Sequence, residues 1–170
     1  MEELIVIDNF IDDAICDQMV EYSKQMYPQM DAVKYDHRRL LKNCQSLEVK
    51  KFLSNAMAKI SKQLGNNYYV ENCWLSIMEK GSFLGPHIDR VREESKDSLA
   101  VLFYLNDNFV GGELHFTNLE KTITPRKGLV VIFPCNILKY EHKVNKMTSG
   151  TRYAIPLEIT LDEKLKVYDI

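Results

Sequence analysis

His87 and Asp89 stand two positions apart, and His142 follows far downstream with Arg152 ten positions beyond it. Residues at i and i+2 share one face of an extended strand, roughly 7 Å apart along it, whereas a helix would point them away from each other. Gly85-Pro86 just upstream disfavours helix and biases the approach toward extended backbone. Two imidazole nitrogens and one carboxylate oxygen on one face of a metal are the donor set of a non-haem ferrous site with three open coordination positions, and open positions permit chemistry. Arg152 adds a fixed cation able to grip the far carboxylate of a chelating co-substrate. A His-x-Asp pair alone is common in proteins that bind no metal; the third donor and the arginine give the pattern its weight. His37, in a basic stretch, and His115, in an alternating strand, are assigned no role.

These residues need a scaffold. With 170 residues, 45% hydrophobic and 27% charged, the chain reads as one globular domain over 1–170 with a sizeable core and no room for a second. A net charge of −2 and evenly scattered Lys and Arg leave no broad electropositive surface, so no nucleic acid is expected as a partner. The local exception is the basic run at 34–42, with His37, Arg38 and Arg39, which reads as a solvated loop or a guide for an acidic substrate. Cys16, Cys44, Cys73 and Cys135 form no Cys-x-x-Cys pair, so neither a zinc knuckle nor a redox motif is indicated, and free thiols suit a reducing cytosol. MEELIVIDNF lacks a basic n-region and a long apolar h-region, and no stretch approaches a membrane span. A cytoplasmic location without membrane attachment is expected.

Residues 4–7 read as a short strand, and Asp12-Asp13 as the capped start of a helix over about 12–27. Phe52, Leu53, Ala56, Met57, Ile60 and Leu64 recur at helical spacing, with Gly65-Asn66-Asn67 as a left-handed stop. From about residue 68 strand follows strand, at 69–78, 98–105, 113–116, 129–133 and 152–159, with glycine-containing breaks between. Helices first and many short strands afterwards predict a mainly β fold with flanking helices: helical support at 1–67 and a double-sheet jelly roll at 68–170. Alternation puts Tyr104 on one face with Leu102 and Ala100, and Arg152 on one face with Ala154, a small neighbour that leaves room for a ligand. Pro156 donates no ladder hydrogen bond, which predicts an edge strand or a bulge there.

The motifs PHIDR (86–90), YLND (104–107), GGELHF (111–116), PRKGLVVIFP (125–134), HKV (142–144) and GTRYAIPLEI (150–159) make the chain resemble the iron- and 2-oxoglutarate-dependent dioxygenases, in their prolyl 4-hydroxylase-like branch. The resemblance covers most of the chain. It implies a double-stranded β-helix, Fe(II) held by His87, Asp89 and His142, and 2-oxoglutarate held at its distal carboxylate by Arg152 with help from Tyr104. Dioxygen is then the second co-substrate, succinate and carbon dioxide are released, and ascorbate serves as reductant. The retained Asp89 favours hydroxylation over halogenation. Glu158 stands where related nucleic-acid demethylases carry a second arginine.

Two positions depart from the pattern. Met78 stands where many relatives have a tyrosine, and Arg152 where collagen-type hydroxylases usually have lysine. The substrate implied is a prolyl residue of a peptide or protein, hydroxylated at C4; a free amino acid or other small metabolite, and an inactive binding module of the same fold, are the alternatives. Residues 90–97 read as a mobile loop beside the metal that covers a peptide, or as an ordinary solvated connection. No His-Glu-x-x-His pair supports a zinc hydrolase.

Overall fold

Period-two alternation needs two partners for each strand, one on either face, and the chain supplies both. The computed structural model describes residues 3–34, 36–89 and 97–170. In chain order the strands are β1 (Ile5–Ile7), β2 (Asp31–Ala32), β3 (Arg38–Lys42), β4 (Tyr69–Met78), β5 (Leu84–His87) and β6 (Leu99–Tyr104). They continue with β7 (Leu114–Phe116), β8 (Lys121–Ile123), β9 (Val130–Pro134), β10 (His142–Val144) and β11 (Arg152–Thr160), and the two α-helices are α1 (Asp13–Met26) and α2 (Leu47–Leu64). Seven strands form one sheet in the order β1-β9-β6-β11-β4-β3-β2, and four form another in the order β5-β10-β7-β8. Every ladder is antiparallel.

The large sheet separates two cores. Its outer face, with Cys73, Leu75, Ile77, Val101, Phe103, Ile132, Ile155 and Leu157, packs against Val49, Phe52, Leu53, Ala56 and Ile60 of α2. Its inner face, with Met78, Ala100, Tyr104, Val131 and Phe133, meets Leu114, Phe116 and Val144 of the small sheet. This is the jelly roll braced by helices that the strand and helix patterns predict. No helix among the described residues is long and apolar enough to cross a membrane, and all four cysteines are free thiols.

Several local expectations need correction. The first 67 residues are not helical support alone, because β1, β2 and β3 belong to the large sheet. The basic run at 34–42 is not a loop throughout: Arg38–Lys42 pairs with β4, from Arg38 opposite Met78 to Lys42 opposite Trp74. Its charges are accommodated because Arg38 binds Asp36 at 2.8 Å and the Arg39 guanidinium lies 4.4 Å from the centre of the Tyr27 ring. Asp12 occupies the N-cap of α1 without making a side-chain cap bond, whereas Ser46 caps α2 by accepting from the Val49 N–H at 3.2 Å. That cap starts α2 at Leu47, earlier than its apolar periodicity suggests, since Leu47 is exposed. Gly65, with φ 71°, ends it in the left-handed conformation expected.

Pro156 does not mark an edge. β11 is central, flanked by β6 and β4. The irregularity lies on the β4 side, where pairing passes from Ala154 opposite Ser76 to Leu157 opposite Cys73 and the register shifts between Glu158 and Ile159. Pro156 keeps its place opposite Leu102 of β6.

Candidate metal centre and active-site cavity

β5 and β10 set the first two donors, since His87 and His142 are opposite one another across their antiparallel ladder. The strand ends at His87, so Asp89 lies just past it rather than within it. Its backbone is tethered there by the Asn136 N–H, which donates to the Asp89 carbonyl at 2.8 Å. The donor atoms of His87, Asp89 and His142 all lie within 4.8 Å of one another. His87 Nε2 is 3.5 Å and His142 Nε2 3.7 Å from the two Asp89 carboxylate oxygens. These separations are long for hydrogen bonds but within what two ligand bonds of about 2 Å each can bridge.

The far side of each ring is also arranged for a metal. His87 Nδ1 lies 2.9 Å from the Gly85 carbonyl and His142 Nδ1 3.0 Å from the Tyr140 carbonyl. A carbonyl accepts only, so each Nδ1 donates and each Nε2 offers its lone pair to the centre of the cluster. Phe133 and Phe116 hold the buried His142 ring, at centroid distances of 4.9 and 5.6 Å.

Electrostatics separates the two imidazoles. Burial lowers the His142 pKa, outweighing the Asp89 charge, so this ring is neutral and ready to ligate. At His87 burial also opposes protonation, but the Asp89 carboxylate, the Gly85 carbonyl and the Asp89 charge together carry the pKa above 6.5. Asp89 is held low despite burial by His87 and by the charges of His142 and Arg38. Protons would therefore compete with a metal at His87 to a higher pH than at an ordinary histidine. Divalent-metal affinity, followed by anaerobic calorimetry, should weaken with proton release as pH falls, beginning at a higher pH than an ordinary histidine would set. An affinity that stays flat from about pH 8 to about pH 6 contradicts this assignment.

A cavity of about 320 Å³ runs between the sheets, with His87, Asp89 and His142 in its wall. Arg152 lines it too, buried at 3% exposure. The guanidinium lies 4.8 Å from the centre of the Tyr104 ring, and Nη1 donates to the Met78 thioether at 2.7 Å. Met78, the departure noted in the sequence, thus packs directly against the arginine. No ion pair to Arg152 occurs among the described residues, and its Nε and the Tyr104 hydroxyl are both buried without a hydrogen-bond partner. Tyr104 is fully buried beside the arginine and does not itself line the cavity. A buried cation and a phenol left unsatisfied together are costly in the empty protein and complementary to a carboxylate, so the residues fit the dicarboxylate that the sequence resemblance implies.

Gly112 explains part of this closeness. It has φ 72°, and a Cβ there would come within 2.7 Å of Met147 Sδ and 3.2 Å of Arg152 Cδ. Gly112→Ala should therefore weaken 2-oxoglutarate binding several-fold while leaving metal affinity nearly unchanged, and should cost about 1–3 kcal/mol of stability through the positive φ. Parallel calorimetric titrations with metal and with 2-oxoglutarate check the split.

The three donors, Arg152 and Tyr104 are thus brought to one region as the sequence predicts. The expected loop at 90–97 falls, apart from Asp97, outside the described residues. Sequence reasoning missed Arg38, Trp74, Pro156 and Glu158, all of which line the cavity. The signal was present: alternation carried two steps past Ala154 reaches Pro156 and Glu158, and alternation back from Met78 reaches Ser76 and Trp74.

Residues 73–157 match the model of the 2OG-Fe(II) oxygenase superfamily, and the chain belongs to that family. Fe(II) and 2-oxoglutarate are accordingly its cofactor and co-substrate. Among curated proteins it is similar to human prolyl 3-hydroxylase 2, with 32% identity over 104 residues, 58% of this chain and 14% of that protein. The curated relatives are much longer, and the matches span 27% of one and 14% of the other. Among solved structures it is similar to a prolyl-4-hydroxylase of Pseudomonas putida, with TM-score 0.76, 15% identity and coverage of 95% of this chain and 94% of that one. It is likewise similar to a prolyl hydroxylase of Trichoplax adhaerens in complex with a hypoxia inducible factor oxygen degradation domain peptide fragment. There the TM-score is 0.74, the identity 20%, and the coverage 96% of this chain and 85% of that one.

Proposed function

We propose that the chain is an Fe(II)- and 2-oxoglutarate-dependent dioxygenase that hydroxylates a prolyl residue of a peptide or protein at C4, releasing succinate and carbon dioxide. His87, Asp89 and His142 hold the iron, Arg152 pairs with the distal carboxylate of 2-oxoglutarate, and the Tyr104 hydroxyl donates to the same group. The observation that carries this reading is the buried guanidinium, without an ion pair among the described residues, in the wall of a cavity that also bears the His-Asp-His cluster.

Iron with its co-substrates supplies the oxidising power for inserting oxygen into a carbon–hydrogen bond. The chain's own share is binding and exclusion of water. Arg152 and Tyr104 orient 2-oxoglutarate, the Gly85 and Tyr140 carbonyls hold the imidazoles in the ligating tautomer, and Phe116, Phe133 and Leu114 keep that side dry. Leu102, Pro156 and Trp74 offer apolar surface for a pyrrolidine ring farther along the cavity. The similarity to proteins named as prolyl hydroxylases, one of them holding a peptide, supports a prolyl substrate. A reducing compartment such as the cytoplasm suits the free thiols and a ferrous site.

The test is a library of proline-containing peptides and free amino acids incubated with iron, ascorbate and 2-oxoglutarate. A gain of about 16 Da on prolyl peptides, assigned to 4-hydroxyproline by amino-acid analysis, is the expected result, with the mass that of one added oxygen. Oxidation of free amino acids alone would point to the metabolite hydroxylase, and 3-hydroxyproline would correct the position. No 2-oxoglutarate turnover under any condition would leave a binding module.

A further inference from the structure

Among the described residues, the cavity wall holds one carboxylate besides the metal donor Asp89. Glu158 projects from β11 on the face that carries Arg152, and it stands opposite Asn72 of β4. Its carboxylate accepts one hydrogen bond from Asn72 Nδ2 at 2.6 Å. Burial, offset only in part by that bond and reinforced by the charges of Asp89 and Glu71, pushes its pKa up. A carboxylate in this setting gains from any cation brought to it.

Trp74 lines the same cavity from β4, and the chain itself shows what this corner attracts. Lys42 of β3 is opposite Trp74 in the ladder, its ammonium lies 5.3 Å from the centre of the indole ring, and its charge is felt at Glu158. Lys42 is exposed and enters no ion pair among the described residues, so its ammonium is free to leave. Arg38, which also lines the cavity, is committed to Asp36, with Nε at 2.9 Å and Nη2 at 2.8 Å. It does not neutralise Glu158, and its engagement argues against the reading of this strand as a guide for acidic substrates.

We propose that Trp74 and Glu158 form a cation subsite, in which a protonated nitrogen of the substrate, from a lysine, arginine or free amine near the hydroxylated residue, takes the place of the Lys42 ammonium. Glu158 is then a specificity-determining residue, and the preferred substrate is a basic peptide. The inference rests on the hydroxylase reading only for the identity of the peptide; the subsite itself rests on the cavity.

Trp74 is the single tryptophan of the chain, so its fluorescence reports on this corner directly. The experiment titrates the metal-free and iron-loaded protein with matched proline peptides carrying arginine or citrulline, and lysine or acetyl-lysine, beside the proline. Cationic peptides are expected to bind about tenfold more tightly than their neutral partners, the range for a partly desolvated cation beside a ring and a carboxylate. Glu158→Gln, which retains the carbonyl that accepts from Asn72, should bring that ratio to about one. Lys42→Met should raise affinity for the cationic peptides and leave the neutral ones unchanged. Equal wild-type affinities, a preference that survives in E158Q, or no response of Trp74 to any peptide would overturn the subsite. A cation preference in binding without any hydroxylation would sink the hydroxylase reading and spare the subsite; hydroxylation indifferent to charge would do the reverse.

Discussion

His142→Ala is expected to lose ferrous-ion binding by more than about a hundredfold, and 2-oxoglutarate turnover with it. Disturbing a group that merely orients a ligand costs about 10–100-fold, and deleting one of three donors removes more. Among the described residues no other group joins the cluster as a replacement donor, His37 and His115 included. The lost ring also leaves a gap beside Phe116 and Phe133, so a modest drop in melting temperature accompanies the loss of metal. His115→Ala is the matched control, since that ring lies on β7 and contacts Thr122 of β8 at 2.9 Å. Anaerobic calorimetry on the three proteins decides the matter: equal metal uptake by wild type and H142A would remove the basis for the whole site.

Arg152→Met should weaken 2-oxoglutarate binding about ten- to a hundredfold, the equivalent of about 1.5–3 kcal/mol for a charge-assisted pair in a partly dry pocket. The same substitution should leave the ligand-free protein as stable as wild type, or more so. The guanidinium is buried with no carboxylate against it among the described residues, and methionine removes that unpaired charge while filling similar space beside Met78 and Tyr104. Thermal melts with and without 2-oxoglutarate read both effects. Wild type should gain melting temperature on adding the co-substrate and R152M should not. A large loss of stability in ligand-free R152M would mean that the arginine is a structural element rather than a ligand clamp.

Much of this site was legible because its signals are local. His87 and Asp89 needed only their spacing, Arg152 needed only its alternation with Ala154, and Gly65 marked a helix end that any left-handed residue would mark. What escaped the sequence depends on partners remote in the chain. Arg38–Lys42 looks like a solvated loop because its charges are conspicuous, and it becomes a strand because β4 offers a ladder and Asp36, Tyr27 and Trp74 offer contacts for those charges. Pro156 looks like an edge residue because a missing N–H is easily noticed, yet it sits in a central strand where the pairing with β4 is interrupted between Ala154 and Leu157. The unpartnered state of the Tyr104 hydroxyl, and the thioether contact that Met78 makes in place of a phenol, are facts of packing that no spacing encodes.

The direct opposition of His87 and His142 in the β5–β10 ladder limits where this chain tolerates changes of length. Side chains on a strand alternate sides, so inserting a single residue inside β5 ahead of His87 would swing that imidazole away from its counterpart, however well the sheet re-formed. The exposed turn at 65–67, between α2 and β4, has no such constraint. Insertions there should leave metal uptake intact, which makes it the natural place to graft a tag or a reporter peptide.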